Sequence, residues 1–128
     1  MESKQESLKI MVIDDSNTIR SSAEKLLTDM GHQVSLAENG YEALSRIVDL
    51  KPDVIFLDIM MPKLDGYQTC ALVKHNQDFK DIPIIMLSSK DGVYDKAKAR
   101  VVGANDFISK PFTAEDLATA IKNIKYKI

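Results

Sequence analysis

The sequence predicts an α/β fold, a doubly wound five-stranded parallel sheet with five helices. Two observations carry this. Short apolar runs alternate five times with segments of helical period. Three of the runs, "LKIMVI" (8–13), "VIFL" (54–57) and "IPIIML" (82–87), are nearly continuous and rich in Ile, Val and Leu, as strands covered on both faces read. A chain of 128 residues suits one domain.

The elements follow in order. After the first run, residues 16–30 place Ile19, Ala23, Leu26, Leu27 and Met30 on one helical stripe, and Gly31 stops it. "QVSLA" (33–37) alternates and reads as an edge strand. Residues 40–50 carry Ala43, Leu44, Ile47 and Leu50 at helical spacing, with Pro52 beyond. The third strand is 54–57, followed by a helix over 66–76 with Cys70, Ala71 and Val73. In the fourth run Pro83 sits near the start, where a missing N–H is tolerated. A less apolar helix over 92–102 ends at Gly103, and "DFIS" (106–109) is the fifth strand. The last helix, 113–127, opens at Thr113 as N-cap and repeats Leu117, Ile121 and Ile124. Residues 1–7 read as a frayed leader and 8–128 as the single domain. Right-handed crossovers favour strand order 2-1-3-4-5, with the ligand crevice between strands 1 and 3.

Composition excludes several classes. Net charge is −2, so no general basic field attracts nucleic acid or anionic lipid. No apolar run approaches the roughly 20 residues of a membrane span. The start lacks the apolar core of a signal peptide. The single Cys70 has no partner for a disulfide or a zinc site, and a reducing cytoplasm is the simplest compartment.

The strand ends hold the chemistry. Asp14 and Asp15 follow strand 1, Asp58 follows strand 3, Ser88 and Ser89 follow strand 4, and Lys110-Pro111 follow strand 5. One acid beside Ser16 could cap the helix there; two acids plus that serine exceed the need. Each carboxylate pair at ~4 Å costs about 1 kcal/mol in water and up to ~4 at an effective dielectric of 20. A cation relieves this, and an all-oxygen set selects a hard one: Mg²⁺, with Mn²⁺ or Ca²⁺ as weaker substitutes. Without it, repulsion predicts that Asp14→Asn raises the melting temperature. His32 and His75 read as solvated surface residues rather than ligands. A hydroxyl and an ammonium facing Mg²⁺ suit a phosphoryl group. No nucleotide phosphate loop occurs, which leaves an aspartyl-phosphate on one of the carboxylates.

In "VIDDS", "LDIMMPKLDG", "MLSSK" and "KPF" the chain resembles the receiver domain of two-component response regulators, the CheY-like family, over about residues 8–127. Within that family, "MMPKLDGYQTCALVK" and "IMLSSKDGVYDKAKARVVGANDFISKPF" are similar to regulators of type IV pilus twitching motility. The resemblance implies that Asp58 takes a phosphoryl group from the phosphohistidine of a CheA-like sensor kinase. It implies Mg²⁺ on Asp15, Asp58 and the carbonyl of Met60, with Asp14 acting mainly through water. It implies that Lys110 and Ser88 engage the phosphoryl oxygens, that Phe107 turns inward as Ser88 shifts, and that Lys110-Pro111 is cis. The protein is then a signalling protein, not an enzyme acting on an outside substrate.

Three positions depart from the family's commoner residues: Ser88 for Thr, Phe107 for Tyr, and Ser89 for Ala or Gly. No helix-turn-helix or catalytic segment follows the last helix, so output is expected from a protein-binding face of the fourth helix, fifth strand and fifth helix. Tyr94, Lys98, Arg100, Val101, Val102, Lys122 and Tyr126 are candidates there for a pilus or motility regulatory partner. A flavin carrier of the same fold needs a neutral phosphate loop where "DDSN" stands. A haloacid-dehalogenase-type phosphatase needs an acid where Met60 stands.

Overall fold

A computed structural model describes residues 7–125. Residues 1–6 of the expected leader and the candidate Tyr126 lie outside the described residues. Five strands, β1 (Lys9–Ile13), β2 (Gln33–Ala37), β3 (Val54–Asp58), β4 (Ile84–Ser88) and β5 (Asp106–Ser109), alternate with five helices. The helices are α1 (Asn17–Asp29), α2 (Gly40–Leu50), α3 (Gly66–Lys74), α4 (Val93–Val101) and α5 (Ala114–Lys125). All strand pairs are parallel, in order β2-β1-β3-β4-β5.

Alternation along each strand feeds two cores. Met11, Ile13, Ile55, Leu57, Ile84 and Met86 pack with Ala43 and Ile47 of α2, Cys70 and Val73 of α3 and Ala99 of α4. Ile10, Val12, Val54, Phe56, Ile85 and Leu87 pack with Ala23 and Leu27 of α1 and Leu117, Ala120 and Ile121 of α5. The continuous runs of the sequence are thus strands covered on both sides. Burying one such side chain contributes roughly 1.5–3 kcal/mol.

Local signals set most helix ends. Ser16 caps α1 by accepting the Ile19 N–H, and Gly31 turns out of it at φ 96°. Asp65 and Gln68 form a reciprocal capping box on α3. Thr113 and Asp116 do the same for α5, with bonds of 2.8 and 3.1 Å. α4 has no side-chain cap; Gly92 holds that place. None of the described helices is long and apolar enough to cross a membrane.

His32 departs from expectation. It is buried, and its Nδ1 accepts the Leu8 N–H at 3.1 Å. The turn after α1 tucks the ring under the start of β1, where that N–H needs an acceptor. His75 is exposed, as expected.

Lys74 fixes the opposite end of the sheet. Its Nζ donates to the carbonyls of Lys80 (3.2 Å) and Ile82 (2.7 Å) and to Asn105 Oδ1 (3.1 Å). Burial lowers its pKa, yet three acceptors hold the ammonium. Lys74→Met keeps the stem and drops these bonds. It is expected to cost about 1–2 kcal/mol in urea unfolding; an unchanged midpoint would contradict this.

Candidate functional site

Register brings the acids level. Ile13 lies beside Leu57, so Asp14 and Asp58 leave neighbouring strands at the same height. Asp58 lies beside Leu87 and Ser88 beside Ser109, which puts Ser88 and Lys110 at the same end. A slip of one residue would reverse the faces of every side chain on the slipped strand.

Lys110 is the centre of the arrangement. Its Nζ donates to Asp14 Oδ2 at 2.8 Å and to Asp58 Oδ1 at 3.0 Å. Asp14 is fully buried and Asp58 nearly so, whereas Asp15 is exposed. Asp14 Oδ1 also accepts the Ser16 N–H at 2.9 Å, so both Asp14 oxygens are engaged. Arg20 steadies the loop from α1: its guanidinium donates to the Asp14 carbonyl at 2.5 Å and to Asn17 Oδ1. Sequence reasoning missed Arg20, although a cation one turn after Ser16 was visible. The Lys110–Pro111 peptide is cis.

Electrostatics follow from burial. Burial pushes the Asp58 carboxyl up to about 6; the hydrogen bond from Lys110 opposes this, and the charges of Asp14 and Asp15 add to it. Burial alone would lower the Lys110 ammonium. The hydrogen bonds and charges of Asp14 and Asp58 outweigh it and hold its pKa above the ordinary value.

One oxygen each from Asp14, Asp15 and Asp58 lies within 4.8 Å of the others. Three carboxylates face one ammonium, and the ligand atoms are all hard oxygens. This donor set fits a divalent cation.

Ser88 is buried, and its Oγ accepts the Lys90 N–H at 3.0 Å, which leaves its own hydrogen to donate. Met60 is 54% exposed at the rim, and Lys90 is exposed beside it. Phe107 is half-buried and lines a groove of about 370 Å³ with Lys96, Arg100 and Asp106. Of the output candidates, Tyr94, Lys98, Arg100, Val101 and Lys122 are exposed. Val102 is not: it packs half-buried against the core, because it caps α4 where the chain turns inward.

The sequence pattern of the response regulator receiver domain matches residues 10–122. The chain belongs to the response regulator receiver family. This receiver is 57% identical over 122 residues to Protein PilG of Pseudomonas aeruginosa, covering 95% of this chain and 90% of that protein. It is 37% identical over 116 residues to Response regulator MprA of Mycobacterium tuberculosis, spanning 91% of this chain but 50% of that relative. Its fold matches the Vibrio cholerae chemotaxis protein CheY4 with a TM-score of 0.88 at 31% identity, covering 93% and 99% of the two chains. A putative response regulator from Chloroflexus aurantiacus matches with a TM-score of 0.88 at 33% identity, covering 93% and 98%. The receiver is therefore a signalling protein whose partner class is the histidine kinase. Its acidic triad is typical of the receiver metal site and consistent with aspartyl phosphorylation.

Proposed function

We propose that Asp58 accepts a phosphoryl group from a CheA-like histidine kinase in a Mg²⁺-dependent reaction, and that this switches a protein-binding face. The observation that carries the reading is Lys110 bridging Asp58 and Asp14 beside Asp15. In the transfer, an Asp58 carboxylate oxygen bonds to phosphorus, the phosphorus–nitrogen bond breaks, and the imidazole leaves with the electron pair. Mg²⁺, held by Asp15, Asp58 and the Met60 carbonyl, with Asp14 through water, would neutralise charge on the phosphoryl oxygens.

Each neighbour has a part. Lys110, 3.0 Å from Asp58 Oδ1, pairs with a phosphoryl oxygen. Ser88 donates its free hydroxyl hydrogen to another and shifts toward it, and Phe107 turns into the space vacated. The added charge of about −1.5 to −2 is offset locally. Output falls on the α4–β5–α5 face, toward a pilus or motility regulatory protein. The 57% identity to Protein PilG across 95% of the chain supports control of type IV pilus twitching motility, in the cytoplasm.

The test treats wild type and Asp58→Asn with acetyl phosphate and Mg²⁺ and reads intact mass. Wild type gains one phosphoryl group and the variant none; equal gain in both would remove Asp58 from the role. Met60 and Lys90 flank the approach of a hydrolytic water. The Met60→Asn, Lys90→Glu protein is expected to lose its phosphoryl group several-fold faster than wild type. Equal half-lives in a phosphate-release assay would count against that.

A further inference from the structure

Helix α4 is thinly packed on the sheet and is also tied to α3 by side-chain contacts. Of its nine residues only Ala99 is buried, and Val93 and Val101 are 88% and 84% exposed. One stripe of α3, at positions 67, 70 and 74, grips it from end to end. The Tyr67 hydroxyl donates to the Asp95 carbonyl in the first turn of α4 (3.3 Å), and Lys98 Nζ lies 4.6 Å from the centre of the Tyr67 ring. Cys70 Sγ donates to the Val102 carbonyl at 3.5 Å, where α4 ends. The Lys74 stem packs under Gly103, where a Cβ would come within 2.9 Å of Lys74 Cγ.

The other end of α3 is pressed against the acceptor strand. The Gly66 N–H donates to the Ile59 carbonyl at 2.9 Å. A Cβ at Gly66 would lie 2.3 Å from the Asp58 carbonyl oxygen, so only glycine permits this approach. Tyr67 is the next residue. The backbone that carries Asp58 is thus in direct contact with the helix start that holds α4, a route separate from Ser88 and Phe107.

We propose that Tyr67 is a positioning residue that couples phosphorylation of Asp58 to α4, through contact of Gly66 with the Asp58 backbone and the bond from the Tyr67 hydroxyl to Asp95. The proposal rests on Asp58 being the phosphoryl acceptor. Burial and the Asp95 charge push the Tyr67 phenol above its ordinary pKa, which keeps it a donor. A coupling claim requires a helix whose state both ends bias, and the thinly buried α4 qualifies.

The test uses the full chain and Tyr67→Phe, each held in excess acetyl phosphate and Mg²⁺. Intact mass reports phosphoryl uptake, and hydrogen exchange reports peptides covering α4 and β5. Expected is equal phosphoryl uptake, with the phosphorylation-dependent change in α4 exchange reduced at least twofold in Tyr67→Phe and the β5 change retained. Lys98→Gln, which removes the cation from the ring face, is expected to reduce it in the same direction. A wild-type α4 response in Tyr67→Phe would overturn the proposal, even if its resting α4 exchanged faster, since that would make the bond merely structural. No mass gain in the wild type would overturn the acceptor reading itself, and the coupling with it.

Discussion

Lys110→Met in the metal-free protein is expected to unfold with roughly 3 kcal/mol less stability than wild type. Its ammonium is the partner of two carboxylates whose side chains are 1% and 5% exposed. Removing one member of a buried pair costs about 3–5 kcal/mol, because the charge left behind stays desolvated. The lower end applies here, since Asp58 already has a raised pKa and can take a proton instead. Methionine fills the volume of the stem, so packing is not the variable. Saturating Mg²⁺ is expected to restore most of the loss, and to raise the variant's melting temperature more than the wild type's. Urea unfolding in EDTA and in Mg²⁺ reads both. A variant as stable as wild type in EDTA would mean that the Lys110 bonds contribute nothing. An equal Mg²⁺ shift in the two proteins would mean that ammonium and ion do not serve the same charges.

Sheet order and site were legible because both depend on strand ends. Continuous Ile-Val-Leu runs mark strands buried on two faces, and a parallel sheet sends all their C-terminal ends one way. "MVIDD", "FLD", "MLSS" and "ISKP" therefore had to converge. What stayed hidden depends on distances across the fold. "DDS" does not declare which acid is buried, and alternation does not either, because both faces of β1 are packed. Asp14 continues the Ile10, Val12 face and is buried, whereas Asp15 continues the equally buried Met11, Ile13 face and is exposed. Lys110 was assigned to a phosphoryl group, but at rest it belongs as much to Asp14 as to Asp58. The weak hold on α4 was half visible in its low apolar content. Its attachment to α3 was not, because the Tyr67 partner lies 28 residues away.

Asp58→Asn is expected to stabilise the metal-free protein at neutral pH, by roughly 1–2 kcal/mol. The sequence pointed to Asp14 for this relief; the structure moves it to Asp58. Both Asp14 oxygens accept hydrogen bonds, from Ser16 and Lys110, and an amide cannot accept at both. Asp58 is the acid whose burial raises its pKa, to about 6 from 3.8. That shift corresponds to roughly 3 kcal/mol, reduced by solvent screening at the site's open mouth. An asparagine oxygen can still accept from Lys110. The sign of the pH dependence follows from the raised value. Wild type gains stability as Asp58 binds a proton, so its curve rises as pH falls through about 6 and levels off below 3.8. Asp58→Asn has no such gain. The gap between the two proteins in EDTA is therefore widest above pH 7 and closes toward pH 4. A gap that persisted at low pH would trace the stabilisation to packing rather than to charge. With Mg²⁺ present the order is expected to reverse, because in the proposed function the Asp58 charge that weakens the metal-free fold is one of those that would hold the ion.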